Sequence, residues 1–507
     1  MVLSTAVSPA ESTIDDPRRR RAVLITVCIA LMAVIASVTG LNVAQPDLAV
    51  QFGASQSTVL WIINTYTIAL AALLLPLGAL GDRLGRRPVL LAGLLVFGAA
   101  NVAGGLATSS EAMIAARLAS GVGAAMIMPV TLAVITSTFP QQERSRAIGV
   151  WTAVAGGGGI LGMYLSALLV DVADWRWLFA LPVALVAVAF VLSLRFVPNS
   201  RERSPHRFDV VGSLASVVAV VGLILMLHEG PVSGWTATPT LLSLAVGVAG
   251  AIAFVVWERR HRAPLLDVRQ FRVRGLASGS VTLLAVFGVQ AGIFVVMFPF
   301  FQSVLGWSGL RSTLALLPMM VLMMAASALA PRVAARAGAR STMAAGVAFC
   351  AGGLATMAVF VSVDGGYLSV LPGMLVMGLG MGLSMTPSTE AITLALPAER
   401  QGVASALNDV TREFGTALGI ALLGAVLSAG YRNAIDDRIG DLEGPAGDAA
   451  RAGIATALTT EGPQAEALVR AAQEAFVAGW RHAMWAGVAV MAVLLLYVLA
   501  RGPKPRA

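Results

Sequence analysis

Lysine is almost missing from this 507-residue sequence: Lys504, close to the C-terminus, is the only one. A Walker A loop needs a lysine on the nucleotide phosphates, and a Schiff-base cofactor needs one inside the fold. Neither ATP hydrolysis nor retinal-type photochemistry is open to such a chain. Charge of either sign is also scarce. Charged residues make up 12% of the sequence, about half the ~25% of an ordinary soluble chain. Cysteine is limited to Cys28 and Cys350, both inside apolar runs, where they read as small buried hydrophobes. The four histidines, His206, His228, His261 and His482, stand singly near the ends of apolar runs. No metal site and no cofactor are expected, and no loop carries a catalytic constellation that would suggest an enzyme.

What the chain has in abundance is apolar sequence: 57% of residues are hydrophobic and the mean hydropathy is +0.81. Fourteen stretches match the ~18 or more residues that a membrane span needs. They lie near 22–44, 58–79, 88–107, 112–135, 146–170, 176–196, 209–228, 239–257, 276–300, 311–330, 342–361, 368–392, 403–429 and 483–500. The first follows Arg18, Arg19, Arg20 and Arg21 and is too long for the ~7–15-residue core of a signal peptide, so it reads as an uncleaved helix. An even number of spans puts both termini on one side. In the short connecting segments, basic residues fall almost wholly on the side of the termini; only Arg176 and Arg311 oppose them. The positive-inside rule then makes both termini cytoplasmic. The formal net charge of +8 reports this topology and not a nucleic-acid partner.

The expected organisation is an all-α polytopic membrane protein with a 6 + 2 + 6 arrangement of spans. An N-tail (1–21) precedes a six-helix bundle (22–200); two inserted helices and their linkers (201–274) lead to a second six-helix bundle (275–500) and a C-tail (501–507). The stretch 430–482 is the only long non-membrane region. It is Ala-rich and acidic, is placed outside, and has room for two short surface helices but not for a core of its own. A weak repeat supports the two halves: GALGDRLGRRPVLL after the second span and PRVAARAGARSTMA after the tenth align Arg83, Gly85 and Arg87 with Arg336, Gly338 and Arg340. Repeated halves are a mark of secondary transporters, with the binding site between them.

The segment Gly78-Ala-Leu-Gly-Asp82-Arg83-Leu-Gly85-Arg86-Arg87 resembles the loop signature of the major facilitator superfamily. Ala115-Ala-Arg117-Leu-Ala-Ser120-Gly121 resembles its fourth-helix signature. Trp175-Arg-Trp-Leu-Phe179, His228-Glu-Gly-Pro231 with Trp235, Trp257-Glu-Arg-Arg260, Met385-Thr-Pro-Ser-Thr-Glu390 and Asn408-Asp409-Val-Thr-Arg412-Glu413 are similar to the fourteen-helix drug:proton antiporter family. The resemblance covers the membrane part from the first span to the thirteenth and implies the major facilitator fold. It also implies that Asp82 reaches the start of the thirteenth helix, near Val403, and latches a cytoplasmic gate with Gly78, Arg83, Gly85, Arg86 and Arg87. The arginines of that loop are expected to hold it at the anionic inner surface.

Three positions depart from the family pattern. Ser37, five residues before Asn42, stands where an aspartate is usual, and Asn64, between Trp61 and Tyr66, replaces a second acid. The glycine run 156–159 lacks the usual proline, with Met163 in that region and Ser166-Ala167 in place of a glycine pair.

An acid kept at the bilayer centre costs roughly 2.5–3.5 kcal/mol and is a functional hypothesis by default. Glu413 is the deepest, ten residues into the thirteenth span and ~15 Å from its start. Asp409 lies one turn earlier, with Arg412 beside it as a neutralising partner. Glu413 is expected to couple protons, with Asp409, Glu390, Arg117 and Arg412 tuning it; Glu390 reads equally as an interfacial acid. A cavity for bulky lipophilic ligands is expected from Ser37, Asn42, Trp61, Asn64, Tyr66, Phe294, Phe298, Gln302, Met381 and Met385, since thioethers and rings adapt to varied apolar shapes; ordinary helix packing would use the same residues.

The expected function is export of lipophilic or cationic small molecules in exchange for protons. The expected partners are substrate and membrane lipid, with no ATP, no nucleic acid and a monomeric chain. The lost acids keep open uniport or altered coupling of lipids or metabolites.

Overall fold

The computed structural model describes residues 14–172, 174–200, 208–397, 400–440, 445–460 and 465–503; His206 and Lys504 lie outside them. Among the described residues there is no strand, and the α-helices follow one another almost without interruption. The N-terminal half holds α1 (Pro17–Val43), α2 (Gln45–Phe52), α3 (Gln56–Leu84), α4 (Arg86–Gly105), α5 (Ser110–Thr138), α6 (Gln141–Val172) and α7 (Ala180–Phe196). Two helices follow, α8 (Val210–Ser233) and α9 (Thr238–Arg260). The C-terminal half holds α10 (Arg274–Pro299), α11 (Gly309–Leu314), α12 (Leu317–Ala337), α13 (Ala339–Phe360), α14 (Gly366–Thr393), α15 (Gln401–Ile439), α16 (Pro445–Ala452), α17 (Ile454–Ala457) and α18 (Ala465–Arg501). Fourteen stretches of these helices are long and apolar enough to cross a membrane. We call the membrane edge where α1 begins the proximal edge, and the opposite one distal.

Local chemistry sets where the spans start. The Asp16 carboxylate accepts from Arg18 N, with Pro17 opening α1; Ser55 caps α3, Ser109 caps α5 and Asp209 caps α8. Each side-chain acceptor satisfies an otherwise orphaned helix N–H, worth ~1 kcal/mol. The internal repeat is visible in the backbone. Gly85, between α3 and α4, has φ +113°, and Gly338, between α12 and α13, has φ +85°. Both halves therefore make the same tight connection in a region that a side chain rarely enters.

Expected boundaries shift in four spans. The thirteenth and fourteenth spans extend far past 430 and begin well before 483, because α15 runs to Ile439 and α18 starts at Ala465. The polar ends of these helices continue beyond the membrane: 39 residues of α15 make ~58 Å, against ~30 Å of hydrocarbon. The stretch outside these two helices narrows to about 440–464 and carries the two short helices α16 and α17. The tenth span is broken into α11 and α12, and the ninth runs on into a π turn at Phe300–Val304.

Candidate functional site

The two halves meet along a seam formed mainly by α3, α5 and α6 on one side and α12, α14 and α15 on the other. At the proximal edge the seam is shut. Asp82, at the end of α3 and only 1% exposed, aims its carboxylate at the first turn of α15. Oδ1 and Oδ2 each accept from Gly402 N at 2.8 Å, and Oδ2 accepts from Val403 N at 3.2 Å. This is an anion on a helix N-terminus, where free N–H groups and the helix dipole both favour negative charge. Gly78 makes the approach possible: a Cβ there would lie 2.6 Å from Gly402 O and 2.8 Å from the Ala406 Cβ.

One arginine of the loop, Arg86, differs from expectation. Arg86 does not face the membrane surface. It is 3% exposed and donates through Nη2 to Asp82 Oδ1 at 2.9 Å, and through Nη1 to Ser200 Oγ at 3.2 Å, because a buried carboxylate needs its charge answered locally. Arg87 donates to the Leu194 carbonyl of α7, and Arg83 is half-buried.

Deeper along α15, Asp409 is fully buried. Its Oδ1 accepts from Arg412 Nη1 at 3.4 Å and from Asn408 Nδ2 at 3.1 Å, while Oδ2 has no partner. Arg412 stacks its guanidinium 4.5 Å from the Phe287 ring of α10 and 5.5 Å from the Trp151 ring of α6. Trp151 is itself fixed by donating Nε1–H to Thr131 Oγ1 at 3.0 Å. One arginine thus touches an acid of its own half and an aromatic ring of the other. Trp151, Thr131 and Phe287 were not singled out in the sequence; only a pairing of helices shows them.

Glu413 lies twelve residues beyond Gln401 in α15, ~18 Å along the helix and near the midplane of the ~30 Å core. It is half-buried and makes no hydrogen bond or ion pair among the described residues. Its charge acts on Asp409 and Arg412 and, across the seam, on Tyr66 of α3.

In the N-terminal half, Arg117 is 1% exposed and stacks 4.2 Å from the Tyr66 ring. It donates through Nη1 to Ser37 Oγ at 3.2 Å, and its Nε has no partner. Ser37 in turn donates to Asn101 Oδ1 at 3.1 Å, and Tyr66 donates to the Val34 carbonyl at 3.3 Å. Among the described residues, Arg117 has no carboxylate partner. Glu390 is held across the seam, accepting from Ser145 Oγ of α6 at 2.6 Å.

The expected cavity residues divide. Met381 and Met385 are buried, and Met385 approaches Gly156 beside Met323. The glycine run of α6 is faced by methionines from both halves, Met32 of α1 and Met320, Met323 and Met324 of α12. The last three are a signal the sequence carried as a methionine cluster. Met163 is half-buried, Ser166 is buried and Asn64, Phe294 and Phe298 are half-buried. Gln302 is exposed in the π turn and Trp61 is 43% exposed. Among the described residues, none of Trp61, Asn64, Phe294, Phe298 and Gln302 is tied by a hydrogen bond to the acids of α15. The side chains of Asn42 and Ala167 lie outside the described residues.

Comparison with known proteins agrees with this architecture. Residues 27–420 match the family described as Major Facilitator Superfamily. The chain is 33% identical over 80% of its length to the Multidrug resistance protein Stp of Mycobacterium tuberculosis, covering 75% of that protein. It is 31% identical to the Multidrug efflux pump LfrA of Mycolicibacterium smegmatis, over 98% of both chains. The solved structure of the proton:xylose symporter XylE superposes with a TM-score of 0.62 over 96% of each chain at 14% identity, which speaks to the fold alone. The chain belongs to the Major Facilitator Superfamily: it is a transporter and not an enzyme, and it spans the cytoplasmic membrane fourteen times.

Proposed function

We propose that this protein exports lipophilic or cationic small molecules, such as drugs or secondary metabolites, in exchange for protons, by rocking its two halves about the seam. Both relatives named above are multidrug proteins, and a seam faced by methionines rather than fixed polar groups suits varied apolar ligands. The observation that carries the coupling is Glu413: an acid near the midplane, without a partner among the described residues, within electrostatic reach of Tyr66 in the other half.

A charged carboxylate there is costly when the seam closes around it and cheap when water reaches it. Protonation therefore favours the closed surroundings, and release favours the open ones, which is the differential interaction an alternating transporter needs. Asp409 and Arg412 set the local field. The proximal edge is the cytoplasmic side in this reading, with Asp82 as its latch, Glu390 as a second contact across it, and both termini inside. Protons serve as the coupling ion, with no cofactor or ATP, and the working unit is the monomer.

The test is transport in proteoliposomes by Glu413→Gln. A pH gradient should drive it at least tenfold more slowly than the natural protein, while substrate counterflow without a gradient persists. Undiminished gradient-driven transport would end the proposal.

One observation favours a second reading. Ser37 supplies a hydroxyl to Arg117, so among the described residues the N-terminal half has no carboxylate for its buried cation. Uniport, or coupling through the C-terminal half alone, follows from that arrangement. Substrate-dependent proton flux in the same vesicles separates it from exchange.

A further inference from the structure

The two helices outside the six-helix halves carry two adjoining hollows that the proposed transport path does not include. α9 is the most exposed span, with 17% of its apolar window buried. Val248, Ile252, Val255 and Arg259 recur at helical spacing along one of its faces. The first three are 42%, 59% and 41% exposed. With Leu223 of α8 they line a wholly apolar groove of about 320 Å³. Val255 is shared with a second hollow of about 290 Å³, whose other walls are Arg259, Val268, Arg269 and Arg272.

The last three residues belong to the short 3₁₀ helix Val268–Arg272, which folds back on the end of α9. Asp267 caps it by accepting from Arg269 N at 3.0 Å, and Arg269 Nη2 donates to the Arg259 carbonyl at 2.8 Å. Among the described residues, none of Arg259, Arg269 and Arg272 has a carboxylate partner. Three like charges are thus gathered at one hollow with no ion pair to neutralise them among the described residues.

The dimensions point to the occupant. Eleven residues from Val248 to Arg259 span ~16 Å of helix, half of the ~30 Å hydrocarbon core and so the depth of one leaflet. A soluble phosphate would use the arginines but leave the groove empty; a neutral lipid would use the groove but leave the arginines unanswered. We propose that this face of α9 binds an anionic phospholipid, its phosphate among Arg259, Arg269 and Arg272 and an acyl chain along Val255, Ile252 and Val248. Guanidinium groups suit phosphate oxygens through paired N–H donors, and basic pockets beside membrane helices are where such headgroups lodge.

The test uses the full-length protein in detergent, with lipid retention read by native mass spectrometry. Phosphatidylglycerol should be retained at least tenfold better than phosphatidylcholine. The Arg259→Gln/Arg269→Gln/Arg272→Gln variant should lose that preference. Arg18→Gln/Arg19→Gln/Arg21→Gln, the same charge change at the same membrane edge, should keep it. Val255→Trp, which blocks the groove and leaves every arginine, should also weaken retention. The proposal is overturned if the first variant retains phosphatidylglycerol like the natural protein, if phosphatidylcholine binds equally well, or if sn-glycerol 3-phosphate displaces the lipid at equal concentration and so marks a free-anion site.

Discussion

The guanidinium of Arg117 rests 3.2 Å from the Ser37 hydroxyl, deep between α1 and α5, with no acid to balance it among the described residues. Breaking a buried ion pair costs ~3–5 kcal/mol because a charge is left uncompensated, and this chain holds such a charge in its natural state. Supplying the acid should recover part of that cost. Ser37→Asp is expected to stabilise the protein by about 2 kcal/mol, read as a higher Tm in detergent, and to add proton flux to transport. A lower Tm would show that the site has no room for a carboxylate.

Asp409 and Glu413 should separate in stability although they lie one turn apart. Asp409 has lost all exposure and holds Arg412 and Asn408, whereas Glu413 has no hydrogen bond or ion pair among the described residues. Asp409→Asn leaves Arg412 buried without its counter-charge, at a cost of ~3 kcal/mol, while Glu413→Gln should stay within ~1 kcal/mol. Thermal unfolding of the two purified variants checks the order, and equal losses would mean that Glu413 has a structural partner after all.

The latch gives a third expectation. An amide at position 82 can place only one acceptor against the Gly402 and Val403 N–H groups and loses the charge that Arg86 answers. Hydrogen bonds to a charged group are worth ~1.5–3 kcal/mol, enough to shift a two-state equilibrium more than tenfold. Asp82→Asn should therefore open the proximal edge and lower efflux by at least tenfold at normal expression. Spin-label distances between the proximal ends of α3 and α15 report the opening; an unchanged distribution would remove Asp82 from the gate.

Gly338 offers a clean measure of backbone strain. At φ +85° a side chain is disfavoured, yet a Cβ there meets nothing within 4 Å. Gly338→Ala should cost about 2 kcal/mol with no packing contribution. The measurement is Tm, and a neutral result would mean that the connection relaxes to negative φ.

At the distal edge, Asp364 accepts from both terminal nitrogens of Arg470, at 2.8 and 2.6 Å, and these bonds lower its pKa below the ordinary aspartate value. A lowered folded pKa means that the clamp is fully present above the unfolded value of ~3.9 and is lost as pH falls through the lower folded value. Hydrogen exchange in the first turns of α18 should therefore be flat from pH 7 to about 5, once corrected for intrinsic rates. It should rise only in stronger acid. Arg470→Gln should show the acid behaviour at pH 7.

Most of the architecture was readable because bilayer thickness forces long apolar runs, and those runs are hard to mistake. The repeated loop was readable too, since Gly85 and Gly338 answer the same backbone demand. The lengths of α15 and α18 were not: Arg432, Asp436, Asp437 and Arg438 end the apolar run but not the helix, and hydropathy registers only the first. The seam was half legible. Asp409 and Arg412 are three residues apart, so their pairing follows from one turn of helix, whereas Arg412 with Trp151 or Ser145 with Glu390 joins residues hundreds of positions apart. Arg86 misled for a different reason: Asp82 is only four positions away, but the turn at Gly85 and the basic residues around Arg86 read as a surface loop.

The position of α8 has one more effect. It packs on both α3 and α15, where Ala71 and Ala72 of the first and Phe414 of the second meet its Val220 and Ile224. In the rocking proposed above, a helix that touches both halves would work as a gasket, covering from the side the gap that opens between them. The alanines would give it a smooth track to slide on rather than teeth to disengage, so that such a tilt would not admit lipid tails beside Glu413. Bulky side chains at Ala71 or Ala72 would jam that track while leaving every charged group of the seam in place.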